Sequence, residues 1–194
     1  MNYSRDLTGK AFHPGFRPQL RPKQMLKMGI FGGTYFARRP QDWRQLPADW
    51  RKGIDQLLPE KHYDPKRNCF EVRAGLTYRE WKSNGWLRGC DPLGWFQWYC
   101  QYTLGRRCDD DERQIKRWRS YRRHIGMLVQ TCRRRGARLN DAGVAPVSRQ
   151  ALLQWAYDPY LKKLARPSMR EMLGRGARSC HIVRCSRSAR KTKQ

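Results

Sequence analysis

The stretch Asp91–Trp118, DPLGWFQWYCQYTLGRRCDDDERQIKRW, decides the fold. Its first half carries Trp95, Phe96, Trp98, Tyr99 and Tyr102 with almost no polar face, and a helix that is apolar all round is buried all round. Asp91 suits an N-cap and Pro92 the first helical position, so the pattern predicts a helix over Pro92–Leu104 that Gly105 ends. Arg106 and Arg107 follow, and Asp109, Asp110, Asp111 and Glu112 then place negative charge where the next helix begins. That helix is predicted over Asp111–Arg135, because Ile115, Trp118, Tyr121, Ile125, Leu128 and Cys132 recur at steps of three and four and form a core stripe. The expected fold class is mainly α: a single helical domain around a buried aromatic helix, with flexible basic N- and C-terminal arms.

Off the core stripe lies an unbroken positive run. Arg113, Lys116, Arg117, Arg119, Arg122 and Arg123 occupy its first part, and Arg133, Arg134 and Arg135 its last turn. No acid occurs between Glu112 and Arg138. An ordinary solvated helix mixes signs, because opposite charges four residues apart stabilise it, and beyond Lys116 this one forgoes every such pair. Together with Arg106 and Arg107 these residues are the candidate nucleic-acid contacts.

Composition points the same way. The 194 residues hold 42 Lys and Arg against 16 Asp and Glu, a net charge of +26, which resists compaction unless an anionic partner offsets it. Arg outnumbers Lys heavily, and its planar fork suits phosphate and stacks on bases. Apolar residues at 39%, with eight Trp and nine Tyr, supply enough material for one packed domain. Seven cysteines without regular spacing argue against a secreted disulfide scaffold. A reducing, intracellular setting is expected, in a nucleus or a nucleoprotein particle rather than outside the cell. No stretch reaches the roughly 18 apolar residues of a membrane span, and no signal-peptide apolar region is expected at the start.

Outward from the centre, residues 1–21 read as a basic Pro/Gly-rich arm whose Phe12, Phe16 and Leu20 could lie along a groove. Residues 22–165 form the helical domain, and residues 166–194 a basic, largely disordered tail that adds affinity rather than sequence preference. Short helices are expected at Lys23–Met28, after Gln41 and after Asp49, with Trp43 and Trp50 as core plugs. The glycines of Gly29–Phe36 are a candidate phosphate cradle, or simply a turn. Cys69–Arg73 is the only strand-like piece. Thr77-Tyr-Arg-Glu80 is a capping box that starts a helix over Tyr78–Asn84 with Trp81 facing the core. Ser148 is an expected N-cap for Arg149–Tyr157.

Catalytic signatures are sparse. The acidic run offers Asp110, Asp111 and Glu112 as weak candidates for a metal-assisted or general-base site beside Arg106 and Arg107, against the plainer reading of a helix start. Cys180, His181 and Cys185 have zinc-ligand types but lack the other half of a zinc-finger spacing. No cofactor is expected, save a divalent metal if the acidic run is catalytic.

The blocks FGGTYF, GWFQWYCQYTLGRR, DDERQIKRW and QALLQWAYD together resemble an uncharacterised family of small basic proteins of eukaryotes and large DNA viruses. The resemblance covers about Pro22–Asp158. It implies that the basic ends are additions to a domain, and it carries no activity across. The expected function is therefore read from the residues: binding of DNA or RNA through the phosphate backbone with little sequence preference. Two alternatives stand beside it. One is a nucleic-acid-processing enzyme using Asp109–Glu112 with Arg106 and Arg107. The other is a structural component of a nucleoprotein assembly or virion, in contact with other proteins.

Overall fold

The computed structural model describes residues 12–54, 62–87 and 89–161. Among these the chain is helical, with no strand. The helices are α1 (Pro22–Lys27), α2 (Pro40–Arg44), α3 (Ala48–Arg51), α4 (Tyr78–Ser83), α5 (Trp95–Thr103), α6 (Asp111–Tyr121), α7 (Arg123–Arg134) and α8 (Pro146–Gln154). The expected Cys69–Arg73 strand is instead a knot of turns. Asn68 holds it, donating from Nδ2 to the Val72 carbonyl at 2.7 Å while its Oδ1 accepts from the Phe70 and Val72 amides.

The spine is α5, and all nine of its residues are buried. It begins later than the sequence suggests, and Asp91 does not cap it. The capping position is Gly94, at φ +89°, where an added Cβ would lie 2.7 Å from the Trp81 ring. Leu93 donates its amide to the Gln97 Oε1 at 2.8 Å, a reach-back that satisfies one orphan donor. The Gln97 amide donates to the Tyr35 hydroxyl at 2.9 Å, which itself donates to the Leu93 carbonyl at 2.7 Å. Gln97 Nε2 reaches Asp42 at 2.7 Å, so the entry of α5 is tied to α2 and to the glycine-rich loop. Asp91 is fully buried and forms an ion pair with Arg106 across the exit of α5.

Residues 12–21 belong to the body. Phe16 is buried to 1% and inserts among Trp98, Tyr99, Tyr102 and Trp118, with ring centroids 5.0–5.5 Å away. Tyr99 donates to the Leu20 carbonyl at 2.7 Å, and the His13 amide to the Tyr102 hydroxyl at 3.0 Å. The expected arm of residues 1–21 is thus divided: its second half closes the core, and residues 1–11 lie outside the described residues, as do those of the expected tail 166–194.

The helix expected over Asp111–Arg135 is two helices that meet at Arg122, and the cause is visible. In an unbroken helix the Arg122 amide would bond to the Trp118 carbonyl. That carbonyl instead accepts the Tyr157 hydroxyl at 2.8 Å, and Arg122 turns to the Arg119 carbonyl at 3.1 Å. The Trp118 and Tyr157 rings stack, 3° apart in plane at 5.0 Å. The core stripe otherwise holds, with Ile115, Trp118, Leu128 and Cys132 buried and Tyr121 and Ile125 half-buried.

At α8 the sequence reading needs one correction. The helix starts at Pro146 behind Ala145 (φ +53°), so Ser148 is inside it and is not the cap. Arg149 is fully buried and has a structural duty: Nε donates to the Val144 carbonyl at 2.7 Å, Nη2 to the Leu139 carbonyl at 3.0 Å and Nη1 to the Pro159 carbonyl. One guanidinium thereby holds the α7–α8 connection and the segment after α8. No helix among the described residues is long and apolar enough to cross a membrane.

Candidate nucleic-acid interface

The fold sorts the arginines that the sequence presents as a single run. Two are tied to acids. Arg106 is half-buried on Asp91 and also donates to the Cys90 carbonyl. Arg113 grips Asp110 with Nε on one oxygen and Nη2 on the other, the latter at 2.6 Å. Others lie on protein surface. Arg107 covers the Tyr102 ring at 3.7 Å and donates to the Tyr102 carbonyl at 2.8 Å. Arg119 donates to the Gly15 carbonyl at 3.2 Å and meets His13 Nδ1 at 3.3 Å, pinning the residues that lead into Phe16.

What is left is a set of exposed cations on α6 and α7. Lys116, Arg122, Arg123, Arg133, Arg134 and Arg135 are exposed, and none is ion-paired among the described residues. Arg138, which the sequence reading passed over, lies exposed just beyond them. Arg122 and Arg119 also line a cavity of about 650 Å³ together with Arg17, so one flank of α6 carries a basic groove against residues 14–19.

An aromatic cavity of about 630 Å³ lies elsewhere on the domain. Tyr35, Tyr63, Tyr78, Trp81, Phe96 and Trp155 are among its walls, with Thr34 and Gln154 adding polar groups. Arg38 lies over Tyr78 at 4.7 Å and Arg73 over Tyr63 at 4.8 Å. Arg117 joins the cavity to the basic helix. Its guanidinium lies 5.5 Å from the Trp155 ring, 5.9 Å from Trp86 and 6.0 Å from Trp81, and it donates to Gln114 at 3.0 Å. Burial there, helped by the charge of Arg113, pulls the Arg117 guanidinium below its ordinary value. Trp81, expected in the core, is only half-buried, and α4 buries none of its residues. Leu76 and Trp86 are exposed beside it at 49% and 38%. Nothing in the local sequence announces this cavity: its walls come from five separate segments, and the one legible sign is the excess of aromatics over what a small core consumes.

The acidic run is part of the helix start. Asp110 holds Arg113 and accepts from Gln114 Nε2 at 2.8 Å. Asp111 accepts from Trp98 Nε1 at 2.8 Å and from the Cys108 amide at 3.2 Å, so it staples α6 to the spine. Asp109 and Glu112 are exposed. The glycine-rich loop is also committed to packing: a Cβ at Gly29 would meet the Arg67 carbonyl at 2.2 Å, and one at Gly32 the Tyr63 ring at 2.8 Å. Among the described residues, Cys90, Asp91 and Cys108 bring two thiols and a carboxylate within 4.8 Å of one another. The Arg106 guanidinium already occupies one oxygen of that carboxylate, and burial pushes both thiols up, Cys108 to about 11, so they stay protonated near neutrality. Cys180, His181 and Cys185 lie outside the described residues. The chain matches no family model, no curated protein and no solved structure.

Proposed function

We propose that this protein binds nucleic acid through its phosphate backbone, with little sequence preference, along the exposed face of α6 and α7. One observation carries the reading. The arginines of this region divide into those held by acids and those left exposed, and the exposed ones gather on two consecutive helices with no ion pair to them among the described residues. A charge arrangement of that kind repels itself in isolation and is relieved by a polyanion. The net charge of +26 makes the same demand of the chain as a whole.

The test is a salt titration of binding to unrelated duplexes and to a single strand, for the full chain and for a variant with Arg122, Arg123, Arg133 and Arg134 all changed to Gln. Each phosphate neutralised on B-DNA adds about 0.9 to the magnitude of the log–log salt slope, so the variant should lose about 3–4. The loss should be the same on each duplex, since phosphates carry no sequence. An unchanged slope, or a loss confined to one sequence, would refute the assignment.

A further inference from the structure

The aromatic cavity gathers several features suited to a ligand. Trp81 and Trp86 pack on each other at 6.2 Å yet stay partly open to solvent, as does Leu76, although a small domain normally covers such groups. Trp95, buried to 1%, forms part of the wall. Arg38 and Arg73 line the cavity and stand over wall tyrosines, and Arg117 of α6 lies 5.5 Å from the ring of Trp155, another wall residue. The volume of about 630 Å³ falls within the roughly 300–1,000 Å³ of small-molecule sites.

We infer that this cavity takes a single nucleobase, unstacked from its neighbours, from a strand whose phosphates lie on α6 and α7. The inference rests on the proposed function and sharpens it: the preferred target is nucleic acid with an extrahelical or single-stranded base. A planar heterocycle is the occupant that uses every feature of the site. Its faces stack on aromatic walls, and its attached phosphates match the guanidinium groups of Arg38 and Arg73. A hydrocarbon would leave those arginines unanswered. Contact with a base face is tolerant of sequence, which agrees with weak sequence preference along the backbone.

The experiment uses the full chain and three short DNA probes of equal charge, with RNA versions run in parallel. One is fully paired, one carries a bulged 2-aminopurine, and one carries a bulged abasic site. The base-bearing bulge should bind tighter than the abasic bulge by about 5- to 150-fold, the range expected for one stacked base. The fluorescence of 2-aminopurine should be quenched on binding. Trp81→Leu should bring the ratio close to one and Trp81→Phe should keep much of it, both variants retaining cooperative unfolding because Trp81 is half-buried. Equal affinity for the two bulges, with the paired probe still bound, would overturn the cavity assignment and leave backbone binding standing. Failure to bind any probe at low salt would overturn both. Quenching that persists in Trp81→Leu at full strength would also overturn the placement of the base in this cavity.

Discussion

Replacing Arg149 with Met tests the reading of α8. The side chain is fully buried and donates to three carbonyls, those of Leu139, Val144 and Pro159. Methionine fills similar space but leaves all three without a donor. Each buried acceptor so stranded costs about 1–3 kcal/mol, a gross loss of roughly 3–9 kcal/mol. Removing the buried charge recovers part of this, because a guanidinium taken from water carries a desolvation penalty of several kcal/mol. The net expectation is therefore at the low end, about 3 kcal/mol, against a total stability of roughly 5–15 kcal/mol for a domain. Urea unfolding followed by tryptophan fluorescence would show it as a lower midpoint at unchanged slope. Arg149→Lys is the sharper comparison. Lysine keeps the charge but presents its donors at a single point, so it cannot span three carbonyls and should be no better than Met. A Met variant within about 0.5 kcal/mol of the parent, or full rescue by Lys, would refute the claim that the fork geometry holds these segments together.

Trp98→Phe keeps most of the buried ring but removes the indole bond to Asp111, so it should cost about 1–3 kcal/mol and loosen the start of α6, seen as faster amide exchange there. Gly94→Ala forces a Cβ to within 2.7 Å of the Trp81 ring at a positive φ, and should lower the melting temperature by several degrees, whereas Gly126→Ala, with open space around it, should not lower it. His124 packs against Tyr121 at 4.2 Å, and burial followed by the charge of Arg123 holds it below its ordinary 6.5. Its folded pKa is depressed, so the stability it contributes is present above pH 6.5 and is lost as pH falls through the folded value. Phosphates on α7 should offset Arg123 and raise the His124 pKa in the complex, measured by NMR titration; no change on binding would speak against contact at Arg123.

Much of the helical architecture was legible because it is local. The capping box at Thr77–Glu80, the stop at Gly105 and the apolar wrap of Trp95–Tyr102 are each set by neighbours within a turn or two. Two of the misreadings involve partners from elsewhere in the chain. The sequence between Asp111 and Arg135 has helical period throughout, and only Tyr157, well beyond it, divides the helix at Arg122. Asp91 looks like a cap until Arg106 is brought to it. The candidate interface shows the same split. The positive run could be read as charge, but which arginines acids hold depends on tertiary contacts, and the cavity beside Arg117 depends on segments that share no periodicity.

The insertion of Phe16 has a consequence for the order in which the chain can fold. Gly15 and Arg119, which flank this contact, are bonded across 104 positions of sequence. Contacts of such separation form late, after the loop between them has been drawn together. Until then Trp98, Tyr99, Tyr102 and Trp118 present one aromatic face to water, a surface on which unfinished chains would adhere to one another. Positive charge also keeps such half-made chains apart, so the arginines proposed to bind a polyanion would protect folding as well, most effectively at low ionic strength.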